Sequence, residues 1–171
     1  PKPSSAASDV YKRQSYMFSE IKKISSLLLS VAFSSIGFIA SITVTVLAAR
    51  EVSSNPLFVG FPNAVGVGGA VLGTRMIYII SKNNSQLNAL AFTFLIGAFG
   101  GAIMFYSLII DSFLVLLLGA FILGIGQSAT LQTRYAASFV AGTKFKATAL
   151  SLAVWFSVFG SVFGPVSYTH L

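Results

Sequence analysis

The sequence contains no cysteine, so it has neither a disulfide framework nor thiol chemistry. Its single histidine, His170, is next to last. Acidic residues number four against eleven basic ones, and charged residues of all kinds make up 9%, where a soluble domain carries about 25%. So little charge excludes a disordered chain, a coiled coil and an ordinary soluble enzyme. No cluster of ligands suits a metal, no serine or threonine has a His–acid partner pair, and no Gly-x-x-x-x-Gly-Lys-Ser loop cradles a phosphate. Gly66-Val67-Gly68-Gly69 sits in an apolar run and follows no strand, so it does not read as a dinucleotide site. No cofactor, no metal and no enzyme activity are expected. Apolar residues fill the space: 55% are hydrophobic, 16 are phenylalanine, 15 more are glycine, and mean hydropathy is +0.84.

The two ends differ from the rest in composition. Ser4–Gln14 resembles the in-frame translation of a transposon-end sequencing adapter, and Val166–Leu171 resembles its reverse complement. Residues 1–14 and 166–171 are therefore read as foreign tails, with 1–14 expected to be disordered. On this reading residues 15–165 are an internal stretch of a longer protein. Its charges are Lys22, Lys23, Arg50, Arg75, Lys82, Arg134, Lys144 and Lys146 against Glu20, Glu51 and Asp111, a balance of 8 − 3 = +5.

About 20 apolar residues in helix cross a hydrocarbon layer of about 30 Å. Runs of that kind occupy Ile24–Ala49, Leu57–Ile80, Leu87–Ile110 and Ser112–Thr133, and a fifth covers Ala147–Gly164. They do not alternate as the strands of a membrane barrel would. The expected fold is all-α, a polytopic transmembrane helix bundle. Links as short as Arg50–Pro56 and Ser81–Gln86 force antiparallel neighbours, with Pro56 placed to open the second helix. Lys22, Lys23, Lys82, Arg134, Lys144 and Lys146 then fall on one side and only Arg50 on the other. This asymmetry predicts a cytoplasmic N-terminus in an integral plasma-membrane protein, a bacterial inner membrane being the expected location. The positive charge answers to lipid head groups, not to nucleic acid.

An ionisable group inside a span costs at least about 2.5–3.5 kcal/mol on insertion scales and asks for a function. Arg75 is the basic residue within a span, where it could hold an anion or snorkel to the interface. No Asp or Glu falls inside a span. Gln127 and Asn63 offer amides to a solute or to another helix. Arg134 is a candidate gate cation at the boundary. Trp155 could line a cavity or pack. Glycines recur at helical spacing in spans two to five, which lets backbones approach closely. Gly160 and Gly164, one turn apart before Pro165, form the helix-packing motif of span five. There Gly160→Ala is expected to be mild beside Gly164→Leu.

Taken together, the basic loops, the tight hairpins, the glycine-rich second span and Gly160-Ser-Val-Phe-Gly164-Pro165 resemble the N-terminal half of a major facilitator superfamily (MFS) transporter, helices one to five of a six-helix domain. The last motif is similar to the Gly-x-x-x-Gly-Pro of the family's drug–proton antiporters. The loop Ser81-Lys82-Asn83-Asn84-Ser85-Gln86 lacks the family's Asp-Arg-x-Gly-Arg-Arg-like gate, and Ala120 stands where many members have arginine. The resemblance implies secondary active transport of a small molecule by alternating access, with proton-coupled efflux of a drug or metabolite as the finer implication. It also implies a C-terminal half of the same chain as partner. A membrane-embedded enzyme or an assembly or scaffold protein, active through residues elsewhere, stays open as the alternative.

Overall fold

Only five prolines interrupt a chain rich in Ala, Leu and Phe, and long helices result. The computed structural model describes the backbone of residues 3–53, 55–143 and 145–169, and the side chains within these except at 3–9, 13, 16, 17, 20, 23 and 163–169. The helices are α1 (Pro3–Val52), α2 (Phe61–Asn83), α3 (Gln86–Ile109), α4 (Phe113–Val140) and α5 (Lys146–Thr169), with a 3-10 turn at Pro56–Phe58. No strand occurs among the described residues. The protein is an all-α helix bundle. Ile24–Val52, Pro56–Asn83, Gln86–Ile109 and Phe113–Val140 are each long and apolar enough to cross a membrane. Lys146–Val162 of α5 is apolar but shorter.

Three boundaries differ from the sequence reading. Residues 3–14 continue α1 as helix; Ala6, Ala7, Lys12, Arg13 and Gln14 are good helix formers, and no glycine or internal proline stops them. Pro56 opens the 3-10 turn and not α2: the Asn55 side chain accepts a hydrogen bond from the Leu57 amide at 3.0 Å, and α2 begins only at Phe61, with Pro62 in its first turn. Arg134 lies inside α4, which runs on to Val140. Ala137 is buried there against Ile24 and Leu28 of α1, and that packing extends the helix past its apolar run.

Between α3 and α4 the chain reverses at Asp111, whose φ of 53° lies in the left-handed region that Asp tolerates better than most residues. Ser85 caps α3 by accepting from the Asn88 amide at 3.2 Å.

α4 is the central helix. Half of its apolar window is buried, against 17% for that of α1. It packs along α2 and α3 through glycines. A Cβ on Gly124 would overlap the Gly66 carbonyl oxygen of α2. One on Gly69 would overlap the Phe121 carbonyl, and one on Gly97 of α3 would come within 2.7 Å of Gly126 Cα. α5 lies along α1, where Gly160 presses its backbone on Ala32 and Ser35. A Cβ at Gly160 would overlap the Ala32 carbonyl, so one methyl group there requires the α1 and α5 backbones to move apart. Gly164 and Pro165 lie outside the residues whose side chains are described, as does His170.

The large apolar side chains point outward: Phe33, Leu95 and Phe105 are about 70% exposed. In water such a surface would aggregate; in a bilayer it is solvated by lipid. Inside, the buried hydroxyls bond back to their own helix, as Thr93 does to the Ala89 carbonyl at 2.8 Å and Thr133 to that of Ala129 at 2.7 Å.

Two adjacent glycines of α2 test this packing. Nothing lies within 4 Å of a Cβ on Gly68, while Gly69 meets α4 backbone. Gly68→Ala should leave thermal stability in detergent unchanged or raise it by up to about 1 kcal/mol through helix propensity. Gly69→Ala should lower it by about 1–3 kcal/mol or more. Equal effects would refute the close α2–α4 contact.

A candidate solute cavity between α1, α2 and α4

α1 and α4 meet at mid-height through polar side chains. The Gln127 amide Nε2 donates to Ser41 Oγ at 3.0 Å, and Thr45 Oγ1 donates to the Ser41 carbonyl at 2.6 Å. Gln127 is held there because the turn before it, Gly124–Gly126, is clamped by glycines of α2 and α3. Phe38, Leu123 and Gln127 form a partition with an opening on either side.

On one side is a cavity of about 190 Å³ between α1, α2 and α4. Its polar lining comes from Thr45, Asn63 and Gln127; Phe38, Ile42, Val67 and Leu123 supply much of the apolar wall. No charged side chain lines it among the described residues. Asn63 is half-buried, and its carboxamide has no hydrogen-bond partner among the described residues. A carboxamide presents two donors and an acceptor without charge, so Asn63 is free to take a neutral polar group. The Gln127 amide nitrogen already serves Ser41, which leaves its oxygen as the available acceptor.

On the other side is a groove between α1 and α3, about 220 Å³ in this part, with Ser34 and Gly37 on one wall, Phe94, Ala98 and Gly101 on the other, and Gly126 and Thr130 of α4 as floor.

The remaining candidates are scattered. Arg75 is exposed. It stands about half a turn away from the stripe Gly69, Gly73 and Ile77 that α2 buries. Arg134 is half-buried, two turns below Gln127 on the same face of α4, and its Nε is buried with no partner among the described residues. Trp155 is 62% exposed and leans on Phe159 at 6.0 Å, on the side of α5 opposite the buried Ala153 and Ser157. Of the five candidate residues, the structure brings together only Asn63 and Gln127. Sequence reasoning missed Ser41, Thr45 and Phe38. The available signal was Ser34, Gly37 and Ser41, small or hydroxyl residues at helical spacing within an apolar run.

Two curated proteins of Bacillus subtilis (strain 168) are similar in sequence. One, named "Uncharacterized MFS-type transporter YdeG", is 31% identical over 137 residues, which is 80% of this chain and 32% of that protein. The other, "Uncharacterized MFS-type transporter YddS", is 31% identical over 157 residues, 92% of this chain and 36% of its own length. This chain is a relative of the MFS-type transporters. It spans about a third of the length of these two relatives. No family profile matches it, and no solved structure matches it. Helices long and apolar enough to cross a membrane, in a chain similar to MFS-type transporters, support a membrane protein surrounded by lipid bilayer.

The Ser41–Gln127 bond can be measured by a double-mutant cycle. Ser41→Ala, Gln127→Leu and the double variant should show a coupling of about 0.6 kcal/mol, with about 1.7 as ceiling. Strict additivity of the unfolding free energies would show that the two helices do not meet there.

Proposed function

We propose that the chain is the N-terminal part of a secondary transporter. In this reading α1–α5 belong to one half of the molecule, and the cavity between α1, α2 and α4 is that half's wall of a midplane solute site. The supporting observation is the cavity itself: an apolar pocket at mid-height carrying an unpartnered Asn63 amide beside Gln127, in a bundle related to transporters. Transport proceeds by alternating access, the two halves rocking about the site while the glycine contacts keep α2, α3 and α4 together as one body.

The helix order sets Lys22, Lys82, Arg134 and Lys146 at one end of the bundle and Arg50, Glu51 and Asp111 at the other; Lys23 and Lys144 lie outside the described side chains. The basic end faces the cytoplasm of a bacterial inner membrane, with the N-terminus inside. Arg134, with Nε unsatisfied, is the gate cation of this half, closing against an acceptor on the opposite half. Gly160 with Gly164 and Pro165 seals the α1–α5 side. Among the described residues the one carboxylate within these spans, Glu51, lies at the end of α1 and not at mid-height, so a group that carries protons at the solute site would come from the opposite half. The 171-residue chain alone, with one wall of the site, carries no flux.

Reconstituted into proteoliposomes, the complete protein should show saturable uptake or efflux of a small solute. Asn63→Leu should insert normally and raise KM for that solute at least tenfold, about 1.4 kcal/mol of binding. Unaltered KM would remove Asn63 from the site, and an absence of saturable flux for all solutes tried would favour the enzyme or scaffold alternative.

Orientation has its own test. Ser85, in the loop beside Lys82, is exposed. In a cysteine-free background, Ser85→Cys should resist an impermeant maleimide applied to intact cells and react after the cells are opened. Labelling from outside would invert the topology.

A further inference from the structure

The cavity between α1, α2 and α4 carries its polar groups at two levels, and the glycine contacts fix how far apart these levels are. A Cβ on Gly66 would come within 3.3 Å of the Ala120 carbonyl oxygen, and one on Gly124 would overlap Gly66. α2 and α4 run in the same direction, so Gly66 stands between the levels of Ala120 and Gly124. Asn63 lies three residues before Gly66, and Gln127 three after Gly124. At about 1.5 Å per residue the two side chains are attached on the order of 10 Å apart along the bundle axis. Between them the wall is apolar, with Val67 of α2, Leu123 of α4, and Phe38 and Ile42 of α1. Thr45 of α1 stands one turn from Ser41, toward the Asn63 end.

The hydrogen bonds already made decide what each group can offer. Ser41 Oγ donates to the Phe38 carbonyl at 2.7 Å, so toward Gln127 it can only accept. This orients the Gln127 carboxamide with Nε2 on Ser41 at 3.0 Å and leaves its oxygen as an acceptor. Thr45 Oγ1 has given its proton to the Ser41 carbonyl and keeps only lone pairs. Asn63, with no hydrogen-bond partner among the described residues, offers two donors and an acceptor. No carboxylate, lysine or arginine lines the space among the described residues. A charged group there would face neutral amides alone, and an ion stripped of water without a counter-charge is costly.

We propose that the solute of this cavity is an uncharged molecule with a hydrogen-bonding group at each end and an apolar middle. One end donates to the Gln127 oxygen. The other is an amide or hydroxyl that meets Asn63 and Thr45. The middle is a hydrocarbon or aromatic stretch against Phe38, Val67 and Leu123. The proposal rests on the transporter reading and adds to it the charge and the length of the solute. Other classes fit the wall less well. An organic cation finds no carboxylate. A polyhydroxylated solute leaves hydroxyls unpaired against the apolar middle. A simple one-headed amphiphile reaches only one of the two polar levels.

The probes are the linear α,ω-dicarboxamides from succinamide to sebacamide, with the α,ω-diamines and α,ω-dicarboxylates of the same lengths. Binding is read as the rise in Tm of the complete protein in detergent, and transport of the best-bound diamide as flux in proteoliposomes. The expected rise passes through a maximum at an intermediate length and is absent for both charged series. Partition onto apolar surface instead grows steadily with each methylene. Asn63→Leu should abolish the maximum. Asn63→Asp is nearly the same size and keeps the test valid should the leucine variant fold poorly; it should tighten binding of the ω-amino amide of optimal length at least tenfold. A steady rise with length, an equal response to a charged series, no response at all, a maximum that survives Asn63→Leu, or an Asn63→Asp variant indifferent to the ω-amino amide would each overturn the proposal. Flux separates the two readings. Saturable flux of some other solute without a diamide maximum sinks the solute class alone, and a diamide maximum without flux of the best-bound diamide sinks the transporter reading alone.

Discussion

Backbone-to-backbone contact along α4 is the constraint on which the rest of the bundle depends. In lipid, helices gain nothing from hiding apolar side chains from one another, and association has to come from close packing. α4 achieves this with Gly119, Gly124 and Gly126, set against Met104 of α3, Gly66 of α2 and Gly97 of α3 respectively. Two neighbours are thereby locked to one helix at separations that no side chain would allow. The rotation of α4 about its own axis is fixed as a result, and Gln127 is turned toward Ser41 of α1.

The same constraint turns the usual distribution of residue sizes inside out. Glycine, alanine, serine and threonine occupy the α2–α3–α4 contacts, and phenylalanine and leucine cover the outside. A water-soluble protein would pay for that exterior; a membrane protein is solvated by it. The buried hydroxyls carry little tertiary specificity because most of them bond to their own helix one turn back. Exceptions concentrate where α1 meets its neighbours. Ser41 Oγ donates to the Phe38 carbonyl of its own helix and in addition accepts from Gln127, while Ser35 Oγ, buried beside Gly160, has no partner among the described residues.

These two features divide the labour in the proposed transporter. The glycine-locked set α2–α3–α4 is rigid. At mid-height, between two apolar clusters, the α1–α4 contact is an amide–hydroxyl bond with space on both sides, the cavity with Asn63 on one and the groove with Gly37 on the other. A wall that can bind a neutral polar group therefore lies beside open space, and the glycine-packed part of the bundle lies behind it.

The sequence by itself determined the class of structure, an all-α bundle of long apolar helices. Long apolar runs without charge have no other stable home, and their glycine spacing marked α2, α3 and α4 as tightly packed. The short links fixed the antiparallel order, and Ser85 and Asp111 marked turns that the structure contains. The extension of α4 to Val140 was not legible, because Ala136 and Ala137 are ordinary residues until α1 and α3 bury them. Nor was the composition of the cavity. Arg75, Trp155, Asn63 and Gln127 all stood out for the same reason, a polar or large group in an apolar run. Period alone says which residues share a face of one helix; it does not say which face meets which neighbour. Tertiary structure decided that by the depth of the glycine contacts. They turned Gln127 toward Ser41 and Asn63 toward the same space, and left Arg75 and Trp155 on the outside.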